Sequence, residues 1–337
     1  MAHRAKPQPP LVMPEGIKVL DGDVDEVVII PLGGAQEVGR SCIYLSWRGR
    51  SVLLDCGLHP ALRGRAALPR LEEVDLVQCE ALLVTHFHHD HCAAAPYLVG
   101  QTTFRGRVLM THPTRAVLRG LLTDTVRLAR QSGEEALYTE EDVEETLRRV
   151  ETIDFRQTMD LDGIAVTALT AGHVLGSAMF LLEWDGLRVL YTGDYSRVPD
   201  RHLAAAELPL RPPDIVIAES TCGGALHESV AEREGKLTRA VGRTVLNGGR
   251  VLIPCVALGR AQEILLVLEE HWSRTPALAN VPIYQASGQA RRDFPLQPPL
   301  PSLTWPPVAA PRSLNAPPCP ITPRPAAPKE STPRTWR

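Results

Sequence analysis

Short apolar runs rich in Val, Ile and Leu alternate with stretches of helical pattern along most of the chain. Apolar runs of this length, bounded by turn residues, are typical of buried strands. The pattern predicts strands at Val27–Leu32, Cys42–Trp47, Ser51–Asp55, Ala81–Thr85, Arg107–Thr111, Ile164–Leu169, Ala178–Trp184, Leu187–Thr192, Asp214–Glu219 and Val251–Val256.

Apolar residues at helical spacing predict three helices, which begin near Pro113, at Thr139 and after Gly259. Asp142 lies three positions after Thr139, so the pair resembles a capping box. Val143, Leu147 and Val150 then follow at i, i+4 and i+7 on one face. Hairpin-like strands come first and strand–helix alternation follows, which predicts a layered α/β fold with mixed sheets.

Composition narrows the class of protein. The chain has 337 residues, of which 44% are hydrophobic, enough for about two domains with sizeable cores. Its formal net charge of −3 argues against a histone-like basic protein. No apolar run approaches the ~18 residues of a membrane span, and the Pro-rich start lacks the apolar core of a secretory signal. Seven scattered Cys without a CxxC pair indicate free thiols in a reducing compartment.

The last 43 residues have a composition of their own. Residues 295–337 hold 14 of the 30 Pro, no Gly and a net charge of +4, which leaves −7 on the preceding 294 residues. Such a segment cannot bury a core, so we expect a disordered tail. A solvated linker is favoured over a ligand for proline-reading domains.

The strongest chemical signal follows the predicted strand Ala81–Thr85. Four His and one Asp occur within six residues, at His86, His88, His89, Asp90 and His91. His86 and His88 are two apart and point to one side in extended backbone. Imidazole and carboxylate are the donors that zinc and similar ions take in proteins. The motif therefore predicts metal binding.

Three further residues lie at the ends of predicted strands: Asp55, His173 and Asp194. Each alone is more typical of a turn or a structural residue than of a site, but their common position at strand ends strengthens the case, and His173 and Asp194 complete a ligand set for two metals. One centre takes His86, His88 and His173, and the other takes Asp90 and His91. Asp194 has two oxygens and bridges them. Such a pair acidifies a shared water and clamps both oxygens of a phosphodiester displacement.

These residues resemble the metallo-β-lactamase fold, an αββα sandwich. Further motifs narrow the resemblance to the β-CASP nucleases, in the branch that contains the endonuclease subunit of the cleavage and polyadenylation specificity factor. The motifs are Pro31–Cys42, Leu54–Gly57, Ala171–Gly176, Tyr191–Asp194, Asp200–Leu203, Glu219–Thr221 and Ala257–Glu263. Local segments favour this branch over the paralogous Integrator endonuclease: Gly57–Pro60, Ala67–Pro69 and Leu137–Glu140.

The resemblance implies a nuclear, zinc-dependent endoribonuclease that cuts pre-mRNA at the 3′-end processing site, together with other subunits of the cleavage and polyadenylation factor. It implies that the two metals described above are zinc, with His86, His88 and His173 at one ion, Asp90 and His91 at the other, and Asp194 between them. Asp55 matches an active-site Asp that orients ligands or water. Glu219 matches the first acidic motif of the β-CASP part, and Arg260 is placed to hold an RNA phosphate.

The chain also departs from the family pattern. His89 replaces an apolar residue, and we expect it to face outward; Cys222 replaces a Tyr. The match ends near Ser287, before two downstream His motifs, one of which ligates the second zinc. We therefore expect a C-terminally truncated member: a flexible N-terminus (1–24), a lactamase-like domain (25–222), a partial β-CASP domain (223–290) and the Pro-rich tail (291–337).

Three alternatives remain open. A truncated chain is compatible with a catalytically inactive scaffold or regulatory subunit of the same complex. An Integrator-type RNA endonuclease is the second alternative. A small-molecule hydrolase of the same fold is the third, and the segments Glu219–Thr221 and Gly259–Arg260 argue against it.

Overall fold

The computed structural model describes residues 17–19, 26–133, 136–256 and 259–284. The strands are β1 (Ile17–Val19), β2 (Val27–Gly33), β3 (Cys42–Trp47), β4 (Arg50–Leu54), β5 (Cys79–Leu83), β6 (Arg107–Thr111), β7 (Val150–Ile153), β8 (Thr158–Leu161), β9 (Ile164–Thr170), β10 (Ala178–Trp184), β11 (Leu187–Tyr191) and β12 (Ile215–Ile217). The α-helices are α1 (His89–Cys92), α2 (Ala95–Gln101), α3 (His112–Ser132), α4 (Glu140–Arg149), α5 (Val230–Leu246) and α6 (Arg260–Arg274).

The strands form two mixed sheets. In the first sheet the order is β1 to β7; β1 to β4 are antiparallel and β4 to β7 are parallel. In the second sheet β8 to β11 form an antiparallel meander, and β12 pairs with β11 in parallel. The predicted layered α/β fold with mixed sheets is thus confirmed: antiparallel strands come first, and α-helices join the parallel strands β5, β6 and β7.

Alternate residues of both sheets build one apolar layer between them. Val52, Leu54 and Leu83 of the first sheet pack in the same cluster as Val166 and Phe180 of the second, all fully or almost fully buried. A second apolar layer lies on the other face of the first sheet, under α2, α3 and α4. The two layers fix the sheets rigidly, so the strand ends at their common edge are well positioned.

Helix caps explain where two of the predicted helices begin. In α4 the Thr139 hydroxyl accepts a hydrogen bond from the Asp142 N–H at 3.2 Å, and the Thr139 N–H donates to the Asp142 carboxylate at 2.8 Å. The predicted capping box is therefore present. In α3 the Thr111 hydroxyl caps the first turn and Pro113 occupies it, while Gly133 ends the helix with a left-handed φ of 71°.

Several sequence expectations need correction. Val251–Val256 is not a strand: these residues have no pairing partner among those described, and Leu252 is 91% exposed. Val150 does not extend the helical face of α4, because it begins β7, which pairs with β6. The strand predicted at Asp214–Glu219 is confined to β12. Strands β1, β7 and β8 and helices α1, α2 and α5 were not predicted.

Arg201 joins the last two helices to the sandwich. Its guanidinium donates to the Glu270 carboxylate of α6 at 2.7 and 3.1 Å, and to the Glu234 carboxylate of α5 through Nη2 at 2.8 Å and through Nη1. Such forked contacts are geometrically specific. Arg201 lies in the loop that leaves β11, so this loop and both helices share one anchor.

The predicted Pro-rich tail lies outside the described residues, as does most of the expected flexible N-terminus; β1 forms within the latter, pairing with β2. None of the helices in the described part of the chain has the length and hydropathy that a bilayer crossing requires.

Candidate metal centre

The candidate residues meet at one edge of the sandwich, because each follows the end of a strand. Asp55 follows β4, His86 follows β5, His173 follows β9 and Asp194 follows β11. β4 and β5 are parallel neighbours in one sheet, whereas β9 and β11 flank β10 in the other. The two sheets therefore supply the cluster from opposite sides.

Backbone hydrogen bonds hold the His motif in place. The Cys56 N–H donates to the His91 carbonyl at 2.8 Å, and the Ser41 N–H donates to the Asp90 carbonyl at 2.8 Å. Gly57 lies so close to the Asp90 carbonyl that a Cβ at this position would overlap it. The glycine thus permits the close approach that aims Asp90 and His91.

Three imidazoles converge on one point. His88 Nδ1 lies 2.9 Å from His86 Nε2 and 3.1 Å from His173 Nε2. These nitrogens and an oxygen of Asp194 all lie within 4.8 Å of one another. His86 is completely buried. Ring nitrogens and a carboxylate oxygen facing a common centre form a cluster that is compatible with metal binding.

The Asp194 carboxylate faces two groups of donors. Its Oδ2 lies 3.5 Å from His173 Nε2, on the side of the three imidazoles. Its Oδ1 lies 3.3 Å from His91 Nε2, and His91 Nε2 is in turn 3.8 Å from a carboxylate oxygen of Asp90. The structure thus places Asp194 between the three imidazoles and the pair Asp90 and His91.

Asp55 lies behind the cluster, completely buried. Its carboxylate accepts hydrogen bonds from the Thr85 N–H at 2.7 Å, the Thr85 hydroxyl at 2.9 Å, His91 Nδ1 at 2.8 Å and the Tyr191 hydroxyl at 2.7 Å. It therefore contacts the back of one donor, His91.

This network sets the tautomers of two histidines. A carboxylate only accepts, so His91 donates from Nδ1 and presents Nε2 to Asp194. The Thr85 hydroxyl gives its single proton to Asp55, so at 2.9 Å it must accept from His86 Nδ1. His86 then presents a bare Nε2 to the cluster. One buried carboxylate orients a donor in each group.

Electrostatics differ across the cluster. Burial, with the neighbouring His173, lowers the pKa of His88 to about 4, and burial also lowers the pKa of His86. Burial opposes the charge on His91 too, but Asp55 and Asp194 outweigh it and raise the pKa of His91 to about 10. The metal-free cluster therefore holds its proton on His91 and offers neutral imidazoles elsewhere.

Glu219 and Arg260 come to the same edge. Both act electrostatically on the pKa of His173, Glu219 raising it and Arg260 lowering it, while burial is the larger influence and lowers it. Arg260 is exposed and pairs with Glu263 at 2.7 Å. Gly259, at the start of α6, packs near Val174 in the loop that carries His173. The start of α6 thus lies beside the loop that carries His173.

Two departures from the family pattern are placed by the structure. His89 faces away from the cluster, as expected, and its Nε2 lies 2.6 Å from the Thr125 hydroxyl of α3. Cys222 is exposed and directly follows Thr221.

A family model for the metallo-beta-lactamase superfamily domain matches residues 44–214, just over half of the chain. The chain belongs to the metallo-β-lactamase superfamily. The matched residues contain β4 to β11 and every residue of the two donor groups around Asp194.

Curated relatives of this lactamase domain are about half identical to it. The cleavage and polyadenylation specificity factor subunit 3-I of Arabidopsis thaliana is 53% identical over 270 residues, 80% of this chain and 39% of that protein. The cleavage and polyadenylation specificity factor 73 of Drosophila melanogaster is 48% identical over 272 residues, which cover 81% of this chain and 40% of that protein. The endoribonuclease YSH1 of Eremothecium gossypii is 51% identical over 280 residues, which cover 80% of this chain and 36% of that protein. The chain spans about two fifths of the length of these relatives.

Three supporting residues of the lactamase domain escaped the sequence analysis. Thr85 and Tyr191 both bind Asp55, and the Ser177 hydroxyl accepts from the His173 and Val174 N–H groups at 3.1 Å. Tyr191 lies within a motif that was singled out, and Thr85 and Ser177 lie beside such motifs. Thr85 and Tyr191 are 30 and 136 positions from Asp55, so a motif does not identify these two contacts.

Proposed function

We propose that this chain is a zinc-dependent RNA endonuclease of the machinery that cleaves and polyadenylates pre-mRNA, and that it hydrolyses a phosphodiester. The observation that carries the proposal is the Asp194 carboxylate, whose two oxygens face separate donor groups. Two cations spaced by one carboxylate suit the in-line displacement of a phosphodiester. The names of the relatives, one an endoribonuclease, support RNA as the substrate.

Zinc fits the donors. His86, His88 and His173 would hold one ion, Asp90 and His91 the other, and Asp194 both. Bound zinc supplies Lewis acidity, which polarises a phosphate ester oxygen and makes water more acidic.

The other side chains prepare and surround the site. Asp55 fixes the orientation of the His91 ring and, through Thr85, the tautomer of His86, whose bare Nε2 faces inward. Arg260 is assigned to bind a phosphate oxygen of the RNA, since a guanidinium fork matches phosphate geometry. Glu219 is assigned to the proton transfer that accompanies departure of the leaving oxygen.

The nucleus and a multi-subunit complex belong to the same proposal. The support is that two relatives are named as parts of a cleavage and polyadenylation specificity factor. Pre-mRNA as substrate and other subunits of that factor as partners follow from it.

A non-catalytic, metal-binding subunit is the second candidate. One observation favours it: in the described part of the chain the second donor group has three residues, Asp90, His91 and Asp194. Zinc usually takes four ligands, so an open position on this side would weaken the binding of a second ion.

The test compares His88→Ala with the matched control His89→Ala, which removes the adjacent imidazole that faces Thr125. Zinc content by elemental analysis is measured beside cleavage of a labelled single-stranded RNA. We expect cleavage by the parent chain and His89→Ala, and loss of cleavage and of zinc in His88→Ala.

Equal cleavage by His88→Ala and the parent would overturn the enzyme proposal. A parent chain that contains zinc but cuts no RNA would establish the non-catalytic candidate. Hydrolysis of ester or thioester substrates without RNA cleavage would instead identify a small-molecule hydrolase.

A further inference from the structure

Helix α5 has two chemically different faces. The face toward the protein carries Glu234, which binds Arg201, together with Thr238 and the buried Val241. On the opposite side lie Lys236, Arg239 and Arg243, separated by three and four residues. At about 100° per residue this spacing aligns the three cations along two turns. We call this side the basic face: Lys236, Arg239 and Arg243.

The cations of the basic face are exposed and mostly uncompensated. Lys236 pairs with Glu228, which precedes the helix. Among the described residues, no carboxylate lies within 4.0 Å of Arg239 or Arg243. The Arg239 guanidinium lies back over Gly235, one turn earlier, where no side chain displaces it. Charge concentrated in this way attracts a polyanion.

The three side chains also enclose a shallow groove. Its volume is about 430 Å³, and Lys236, Arg239, Ala240 and Arg243 line it. The small Ala240 keeps the floor low between the longer side chains. The groove holds cationic groups and their aliphatic stems, with no large apolar side chain in its lining.

We propose that the basic face of α5 binds the phosphate backbone of single-stranded RNA; the identification of RNA rests on the proposed function. Backbone binding needs cations in a row and no apolar anchor. An acidic protein partner would need a buried aromatic or aliphatic anchor at its centre, which this groove does not offer. Residues 1–294 are acidic overall, with 31 basic and 38 acidic residues, so a row of three cations is distinct from the average charge of the chain.

The position of α5 makes such binding useful to the metal centre. Arg201 joins α5 and α6 through Glu234 and Glu270, and α6 begins with Arg260 beside the His173 loop. RNA held on the basic face is therefore bound to the same helix pair that presents Arg260. The basic face extends substrate contact beyond the metal cluster.

The test measures binding without cleavage. Fluorescence anisotropy follows a labelled 20-residue oligouridylate with the purified chain in EDTA, over a range of salt concentrations. The triple variant Lys236→Gln, Arg239→Gln, Arg243→Gln should bind about 50-fold more weakly at 0.15 M salt, and the slope of log K against log salt should fall by about 2, since each phosphate contact on a single strand contributes about 0.7.

A charge-matched control removes three exposed arginines of α3: Arg119→Gln, Arg127→Gln, Arg130→Gln. Their ion pairs are exposed, so little stability is lost, and we expect oligouridylate affinity within twofold of the parent. Circular dichroism melting checks that both triple variants fold.

The outcomes separate the two proposals. Parent-like oligouridylate affinity and salt slope in the α5 variant, an equal loss in the α3 control, or no binding by the parent would each overturn the basic-face proposal. Binding of labelled polyglutamate is measured in the same way. If the α5 variant loses polyglutamate binding but keeps oligouridylate binding, the basic-face proposal is overturned in favour of an acidic protein partner. His88→Ala should bind oligouridylate like the parent. A parent chain that binds oligouridylate but cuts no RNA in the presence of zinc would contradict the proposed function and leave the basic-face proposal standing.

Discussion

Replacing Asp55 by Asn tests whether one buried carboxylate organises both donor groups. Asp55 has a left-handed backbone with φ of 59°, a conformation that Asn tolerates well. The substitution keeps size and backbone geometry and removes the charge and one acceptor. Its effect therefore reports on the hydrogen bonds to Thr85, His91 and Tyr191.

The magnitude follows from the contacts. If the amide oxygen keeps the bonds from His91 and Tyr191, the NH₂ group faces the Thr85 N–H, donor against donor. An unsatisfied buried donor costs about 1–3 kcal/mol, and the bond from His91 also loses its charge assistance. We expect the free energy of unfolding to fall by about 2–4 kcal/mol in the metal-free chain.

The metal should be affected through the tautomers. The Thr85 hydroxyl keeps the retained oxygen as its acceptor at 2.9 Å, but the new NH₂ group, at 3.1 Å, also donates toward it and competes with His86 Nδ1 for the hydroxyl oxygen. This competition weakens the bond that fixes the His86 tautomer. Loss of such a supporting contact typically lowers metal affinity about 10–100-fold.

The assay combines urea denaturation in EDTA with zinc titration against a competing chelator. Asp185→Asn is the matched control, because Asp185 also has a positive φ of 48° but is exposed and pairs with Arg48 at 3.7 Å. We expect the control to lie within about 0.5 kcal/mol of the parent. Asp55→Asn with parent-like stability and zinc affinity would refute the positioning role.

Two further predictions concern the backbone and the proton of the same site. Gly57→Ala would force a Cβ onto the Asp90 carbonyl and should lower the free energy of unfolding by more than about 4 kcal/mol. Gly120 is exposed in α3 with open space around it, so the control Gly120→Ala should raise the free energy of unfolding by up to about 1 kcal/mol. Urea denaturation of both variants distinguishes a local clash from a general intolerance of side chains. Because the pKa of His91 is raised to about 10, zinc must displace a proton there at neutral pH. The zinc affinity should therefore rise about tenfold per pH unit between pH 6.5 and 8.5 and level off above the pKa. Calorimetry in buffers of different ionisation enthalpy should find about one proton released, and a pH-independent zinc affinity would contradict this prediction.

The sequence predicted the strand ends and the residues beyond them, because a buried strand and the polar residue after it are both local features. His86, His173 and Asp194 each follow a strand that the apolar pattern also predicts. The capping box at Thr139 was recognisable for the same reason. The local sequence pattern was therefore enough to single out most residues of the candidate site.

Contacts between distant residues were not predictable. Tyr191 binds Asp55 across 136 positions, and no periodicity encodes that pair. The apolar run Val251–Val256 was wrongly predicted to be a strand, since hydrophobicity alone does not supply a neighbour to pair with. Val150 illustrates the limit at element boundaries, where the same apolar residue suits the end of a helix and the start of a strand.

The double fork of Arg201 has a mechanical consequence. Glu234 and Glu270 lie on different helices but share one guanidinium, on the loop after β11 that also carries Asp194. Neither helix can swing away from the metal cluster without breaking charge-assisted bonds or pulling on that loop. Displacement of the helix pair therefore pulls on the loop that carries the Asp194 carboxylate. Arg201 thus couples the positions of α5 and α6 mechanically to the cluster.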